Sequence, residues 1–392
     1  MRHHESIRHT TNVVYSILLI GFIYAVQLVL PLYAASSFLS TFTNEQAVGM
    51  LFTFGSVVTV IGAFFIERIL ERFGNYKTSI TLIVMSMGLL YGLISGGSIW
   101  VVGTCFVLVT ATIALLGLNL DIYLETYTDT GHTGGVRGLY MSVCNIGWVM
   151  APLLGAMLIG AGNNYRNVYI GAFSLLFILL YLVHKNLRGF KDPHYSHIAL
   201  TRTLSRVLEH HNLSKLFAAN IILNTFYAWM VIYIPIYLHT TIGFSWDQIG
   251  MILTIMLLPF IIFQFPAGKL ADKGLGEKKM MSIGFLILGV STMSLAFLHG
   301  NNFIAWTLAL FVTRIGAAVA EVMIEAYFFK KVSAENADLL SSFRITRYIA
   351  YIIAPAITAI GLFYTTSANV FIILGLIVLW ALRYSLTIKD IV

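Results

Sequence analysis

The sequence predicts an all-α membrane protein with twelve transmembrane helices in two pseudo-symmetric halves of six. Of its 392 residues, 58% are hydrophobic and only 10% are charged, and the mean hydropathy is +0.84, which lies far outside the range of soluble domains. Apolar runs of about 20 residues recur along the chain, each long enough to cross a hydrocarbon core of about 30 Å as a helix. Because the runs are continuous and do not alternate, they exclude a β-barrel.

The first apolar run begins near Val13 and lacks a small-residue cleavage site. We therefore interpret it as a retained transmembrane helix and not as a signal peptide. The twelve spans are predicted at 12–36, 46–70, 77–97, 99–126, 136–160, 166–186, 214–240, 247–271, 278–299, 302–330, 340–364 and 367–387.

The distribution of basic residues predicts the orientation. An even number of spans places both termini on one side. If that side is the cytoplasm, all 24 Lys and Arg residues except Arg166 and Arg314 fall in inside loops or at inside helix ends, as the positive-inside rule requires. Topology therefore explains the net charge of +7 without a nucleic-acid partner. We expect a monomer embedded in the lipid bilayer of a bacterial inner membrane, with both termini cytoplasmic.

The longest loop divides the chain into a six-helix half at 1–186, a cytoplasmic linker at 187–213 and a second six-helix half at 214–392. A weak repeat supports this division. DIYLETY, which begins at Asp121, and EVMIEAY, which begins at Glu321, end the fourth and tenth spans 200 residues apart. Duplicated halves of this kind are typical of transporters.

Several classes of chemistry lack the residues that they need. The two cysteines, Cys105 and Cys144, fall inside predicted spans, so neither a disulfide framework nor a metal-ligand cluster is indicated. No phosphate-binding glycine loop is followed by Lys and Ser or Thr, and no nucleophile–base pair emerges. We expect no enzyme activity, cofactor or metal, and an ion gradient as the source of energy.

The loop after the eighth span carries the most specific motif. It reads GKLADKGLGEKK from Gly268 to Lys279 and resembles the Gly-x-Leu-Ala-Asp-Lys/Arg-x-x-Gly-x-Lys/Arg-Lys/Arg motif of the major facilitator superfamily. The resemblance implies a transporter of small molecules that works by alternating access around a site between its two halves. It also implies that the first, fourth, seventh and tenth spans line the central cavity.

Three residues of this motif are candidates for a conformational latch. Gly268 would let helices approach closely, Asp272 would lie against the N-terminus of a neighbouring helix, and Lys273 would keep the loop inside. An ordinary basic inside loop would explain the charges but not the order of the residues.

The corresponding loop of the first half, ERILERFGNYK, also carries an acid–base pair, Glu71 and Arg72. It departs from the family pattern because Glu67 replaces the expected glycine and Glu71 the expected aspartate.

In this superfamily the loop motif commonly acts with an acid at the inner end of the fourth or tenth span and an arginine at the start of the next. The resemblance implies Glu125 with Arg137 in the first half and Glu325 with Arg344 in the second. The alternative is that these residues are simple interfacial charges near the lipid headgroups.

The fifth span carries GWVMAPLLGA, from Gly147 to Ala156. This segment resembles the Gly-x-x-x-Gly-Pro-x-x-Gly-Gly motif of drug/proton antiporters, with Ala151 and Ala156 in place of two glycines. The resemblance favours export, although close helix packing alone would explain the same small residues.

The tenth span, FVTRIGAAVAEVMIEAYFF, contains a deeply placed Arg314. An arginine at a helix centre costs about 2.5–3.5 kcal/mol on insertion scales, so it is expected to face a cavity or a partner. We predict that Arg314 recognises an anionic solute, with Asp121 and Glu321 as proton-coupling residues. The alternative is a static Arg–acid cluster that locks the halves together.

Two further groups of polar residues follow helical spacing. Tyr24 and Gln27 share a face of the first span, and Asn220, Asn224 and Tyr227 share a face of the seventh. We predict that they bind a partly polar solute, with interhelical hydrogen bonding as the alternative.

The sequence thus predicts a secondary active transporter that exports a small amphipathic or anionic solute in exchange for protons. Two alternatives remain. One is uptake or uniport of a sugar or organic anion, and the other is a non-transporting receptor or scaffold of the same fold.

Overall fold

The computed structural model describes residues 2–127, 133–192, 207, 209–331, 337–364 and 367–389. Within these ranges it contains twelve helices that are long and apolar enough to cross a membrane, which confirms the predicted all-α fold. The chain forms two compact units, Met1–His197 and Ile198–Val392. Most of the predicted linker, 193–206 and 208, lies outside the described residues.

The first unit contains the helices α1 to α6, and a short helix at Ala35–Ser40 extends α1. Their bounds are Arg2–Leu32 (α1), Glu45–Phe73 (α2), Asn75–Ser95 (α3), Ile99–Tyr127 (α4), Thr133–Ile159 (α5) and Arg166–Leu187 (α6).

The second unit contains the helices α7 to α12, of which α7, α8 and α9 continue into shorter helical segments. The main bounds are His211–Ile232 (α7), Trp246–Leu257 (α8), Glu277–Ser294 (α9), Phe303–Lys331 (α10), Ala337–Tyr364 (α11) and Ser367–Thr387 (α12). The continuations are Ile234–Ile236 and Tyr237–Thr241 after α7, Pro259–Ile262, Gln264–Leu270 and Ala271–Leu275 after α8, and Leu295–Phe297 after α9.

Prolines account for the segmented seventh and eighth spans. A proline inside a helix removes one backbone hydrogen bond, and its ring clashes with the preceding turn. Pro235 lies in the extension of α7, and Pro259 and Pro266 lie in the two helical segments that follow α8. As a result, Gln264 begins a new helical segment in the inner half of its span.

The two units use the same set of helix pairings. In the first unit α1 packs against α4, α5 and α6, α4 packs against α2 and α3, and α3 packs against α6. In the second unit each of these pairs recurs with every helix number raised by six, from α7–α10 to α9–α12. This shared pattern of helix pairs is what the predicted pseudo-symmetry requires.

Helices α9 and α10 cross with their backbones in close contact. A Cβ atom at Gly316 would lie 2.4 Å from the Leu288 nitrogen, and one at Gly284 would lie 2.7 Å from the Ala320 nitrogen. Only glycine therefore fits at the crossing, as in other tightly packed membrane helices. The equivalent α3–α4 pair is instead bridged by a hydrogen bond from Ser86 Oγ to Thr112 Oγ1 of 2.8 Å.

The loops after the second and eighth spans have the same backbone turn. Gly74 has φ 78° and ψ 158°, and Gly276 has φ 73° and ψ 152°, a region that favours glycine. This explains the second glycine of the loop motif. It does not explain Gly268. A Cβ atom there would meet no atom within 4 Å among the residues that the structure describes, so the close helix approach expected at Gly268 stays a prediction.

Candidate solute-binding and coupling site

Arg314 lies in the middle of α10 with only 2% of its surface exposed. The centre of its guanidinium group lies 4.8 Å from the ring centroid of Phe226 and 5.8 Å from that of Tyr227, both on α7. Desolvated cation–π contacts of this kind contribute up to about 2 kcal/mol. The aromatic face of α7 thus holds this intramembrane charge inside the second unit.

Tyr227 connects Arg314 to the acid two turns further along α10. Glu321 lies about 10 Å of helix rise beyond Arg314. The Tyr227 hydroxyl donates a hydrogen bond to the Ala317 carbonyl oxygen at 3.5 Å and interacts electrostatically with the Glu321 carboxylate. Arg314 and Glu321 also interact electrostatically. The predicted Arg314, Glu321 and Tyr227 therefore belong to one polar cluster.

Gln264 contributes a hydrogen bond to the Glu321 carboxylate. Its Nε2 donates to Glu321 Oε2 at 3.1 Å, from the first residue of the segment that follows the break after α8. Sequence reasoning missed this residue. The available signal was an amide inside an apolar run, two residues before Pro266.

Arg347 on α11 is the second basic residue of the cluster, and sequence reasoning did not single it out. It interacts electrostatically with Glu321 and Tyr227, and its side chain is exposed. The count of basic residues places Arg347 among the inside helix ends. Its spacing of three residues from Arg344 was the available signal, because residues at i and i+3 lie on one helix face.

Glu325 completes the cluster one turn beyond Glu321 on α10. The two carboxylates interact electrostatically. The cluster thus combines two arginines, two glutamates, a phenol and an amide on four spans of one unit; these residues are Arg314, Arg347, Glu321, Glu325, Tyr227 and Gln264. Its four ionisable charges cancel when both glutamates are ionised.

The first unit gathers polar residues around α1, α4 and α5. Tyr24 donates a hydrogen bond to the Ile113 carbonyl oxygen at 3.0 Å. Tyr140 hydrogen-bonds to Cys144, and both interact electrostatically with Asp121. Asp121 thus lies within electrostatic range of a phenol and a thiol of α5.

Gln27 on α1 is fully buried, with 0% of its surface exposed. Neither its Oε1 nor its Nε2 has a hydrogen-bond partner among the residues that the structure describes. An unsatisfied buried amide is costly, so this residue is a candidate for a role other than packing.

The two asparagines of α7 make hydrogen bonds within the second unit. Asn220 Nδ2 donates to Thr346 Oγ1 on α11 at 2.8 Å, and Asn224 Nδ2 donates to Asn220 Oδ1 at 3.1 Å. Both side chains are buried. In this conformation each amide thus donates a hydrogen bond to a neighbouring side chain, and the bond from Asn220 to Thr346 is of the interhelical kind that the alternative describes.

Comparisons with known proteins agree with this architecture. The family model described as Major Facilitator Superfamily matches residues 15–247 and 216–388. The chain belongs to the major facilitator superfamily. The solved structure of a mutant of the nucleoside transporter NupG is similar with a TM-score of 0.77 at 13% identity, covering 96% of this chain and 99% of that one. A comparison with curated protein sequences finds no match.

As a member of this superfamily, the protein is an integral multi-pass membrane transporter of a small-molecule solute. The side chains of Glu125, Arg137 and Asp272 lie outside the described residues, so their latch roles stay predictions. The predicted pairing of Glu325 with half-buried Arg344 also stays a prediction.

Other charged side chains of this facilitator contact neighbouring groups at helix ends. Lys330, at the end of α10, forms an ion pair with the buried Glu277, the first residue of α9. Arg72 lies 5.4 Å from the ring centroid of Phe73 at the end of α2. Glu71 and Lys273 are exposed, and their proposed gating roles remain predictions.

Proposed function

We propose that this facilitator couples the movement of a small anionic or amphipathic solute to the movement of protons, by alternating access. The supporting observation is the environment of Glu321. Its carboxylate accepts a hydrogen bond from Gln264 and lies within electrostatic range of Tyr227 and Arg347. A change in the charge of Glu321 therefore alters the electrostatic environment of these neighbouring groups.

Charge balance suggests how proton and solute are linked. An ionised Glu321 offsets part of the positive charge of Arg314 and Arg347 and so weakens their attraction for an anion. A proton on Glu321 removes this negative charge, which favours binding of an anion. Because linkage is reciprocal, the anion in turn favours binding of the proton, and the two would move in the same direction.

Proton–anion symport therefore becomes our preferred mechanism over the antiport that the sequence suggested. The segment that resembles drug/proton antiporters has an alternative explanation in packing. A Cβ atom at Gly147 would lie 3.2 Å from the Ala25 Cβ, and one at Gly155 would lie 3.1 Å from the Leu30 carbonyl oxygen. Both glycines allow α5 to approach α1 closely.

Transport in proteoliposomes tests this function. Wild-type protein should accumulate an organic anion when the inside is alkaline, and it should catalyse counterflow without a pH gradient. In Glu321→Gln the accumulated anion should fall at least about tenfold below the wild-type level. Counterflow should persist, because a neutral amide mimics the protonated acid. Asp121→Asn tests the second predicted proton site in the same way.

Asp247→Asn is the matched control, because Asp247 is an exposed acid in the first turn of α8. Anion expulsion under the same gradient would support antiport. Unchanged accumulation in both Glu321→Gln and Asp121→Asn would remove these acids from coupling. An absence of counterflow for every solute class, with nucleosides and sugars included in the screen, would support a receptor or scaffold.

A further inference from the structure

The two arginines of the cluster differ in how accessible they are. Arg314 is 2% exposed and packed against two aromatic rings of α7. Arg347 is exposed, and no residue that the structure describes forms a hydrogen bond or a direct ion pair with its guanidinium group. Since a solute can bind only a group that it can reach, accessibility distinguishes their roles.

We infer that Arg347 is the anion-binding residue of the proposed transport site and that Arg314 is a positioning residue. This inference rests on the proposed function and changes the role assigned to Arg314. The planar guanidinium group of Arg347 offers a fork of donors that matches a carboxylate or a phosphate group. The chemical class of the ligand is therefore a small organic carboxylate or phosphate ester.

The neighbours of Arg347 fit this role. Its charge interacts with Tyr227 on α7 and with Tyr348 and Tyr351 on α11. Phenolic hydroxyls can donate hydrogen bonds to oxygens of a bound anion, and aromatic rings can contact an apolar part of the solute. This combination suits an amphipathic anion.

Glu321 lies close enough to Arg347 for electrostatic interaction. The structure, which describes both residues, shows no direct ion pair between their side chains. The guanidinium group is therefore held near an acid without being occupied by it. An arriving anion would compete with the charge of Glu321 and not with a formed salt bridge, so protonation of Glu321 would strengthen its binding.

Arg314 acts on this site through Tyr227. It packs against the Tyr227 ring, and the same tyrosine interacts electrostatically with Glu321 and Arg347. Arg314 thereby fixes the position of the phenol without contacting the solute. Loss of Arg314 should perturb stability and turnover more than anion affinity.

A thermal-shift assay separates these roles. Benzoate, succinate, citrate and glucose-6-phosphate serve as probe anions, and glucose and uridine serve as neutral controls. Wild-type protein should be stabilised by at least one anion, because a ligand that binds only the folded state raises Tm. In Arg347→Gln the anion-induced shift, measured against that variant's own basal Tm, should vanish, and in Arg347→Lys the apparent Kd should rise about tenfold or more.

The matched control is Arg314→Lys, which should lower basal Tm and keep the anion-induced shift. Persistence of the shift in Arg347→Gln, or its loss in Arg314→Lys alone, would overturn the inference, as would a wild-type protein that no probe anion stabilises. A shift that is lost when anionic lipids are added to phosphatidylcholine nanodiscs would identify a lipid headgroup as the ligand and also overturn it.

This assay uses no pH gradient, so its outcome is distinguishable from that of the proteoliposome experiment. Suppose that anion binding depends on Arg347 but accumulation is insensitive to Glu321→Gln and Asp121→Asn. That result would refute proton coupling through these acids and leave the inference about Arg347 standing. Normal anion counterflow in Arg347→Gln would refute the inference about Arg347 and leave the proposed function standing.

Discussion

Two glutamine side chains, Gln264 and Gln27, show how local contacts decide the role of a residue. Gln264 donates to the Glu321 carboxylate at 3.1 Å. Gln27 is completely buried, and within the described residues neither of its amide atoms has a hydrogen-bond partner. A buried polar group without a partner keeps its full desolvation cost of about 1–3 kcal/mol. Gln27 therefore lowers the stability of the fold that contains it.

Replacing Gln27 with an apolar residue of similar size should stabilise the protein. For Gln27→Leu we expect the free energy of unfolding to rise by about 1–3 kcal/mol, because an unsatisfied buried amide is removed. Thermal unfolding of detergent-purified protein measures this effect. Gln264→Leu is the matched control and should lower Tm; a lower Tm in Gln27→Leu would contradict the prediction.

At the scale of helices, the α9–α10 pair depends on two glycines that allow backbone contact. A Cβ atom at Gly316 would come within 2.4 Å of the Leu288 nitrogen and 2.7 Å of the Gly284 carbonyl oxygen. Backbone atoms cannot turn away as flexible side chains do. Any side chain at this position must therefore separate two helices, one of which carries the Glu321 cluster.

Gly316→Ala should accordingly reduce the stability of the second unit by about 1–3 kcal/mol, the usual cost of overpacking. Gly88→Ala is the control, because Gly88 lies inside α3 and a Cβ atom there would meet nothing within 4 Å. That substitution should be neutral or stabilising by about 0.5–1 kcal/mol through helix propensity. Equal Tm values for the two variants would show that α9 and α10 adjust without strain.

At the scale of the whole molecule, the charge pattern predicts a single orientation in the membrane. All Lys and Arg residues except Arg166 and Arg314 fall on the side of the termini. The structure confirms the even number of spans on which this reasoning depends, within the residues that it describes. The side on which the termini lie follows from the positive-inside rule.

Cysteine accessibility tests this orientation. In a variant with Cys105 and Cys144 replaced by alanine, Asn301→Cys between α9 and α10 should react with a membrane-impermeant maleimide on intact cells. Lys279→Cys in the loop after the eighth span should react only after permeabilisation. Both sites are exposed, so the reverse labelling pattern would place the termini outside.

Sequence reasoning was most successful where the signal is local. Span number and position follow from runs of about 20 apolar residues, and the family follows from the ordered motif Gly268–Lys279. It was least successful for the partners of Glu321. Gln264 and Arg347 lie on other helices than Glu321, and the local signal that each carries does not indicate which residue it contacts.

The sequence by itself determined the membrane class, the twelve helices and the superfamily, because hydropathy and motifs depend on residues that are close along the chain. Only the tertiary structure decided which arginine is buried. Arg314 and Arg347 carry the same charge, but the rings of α7 enclose one and leave the other exposed. Burial depends on side chains supplied by other helices, and no pattern within a single span records it.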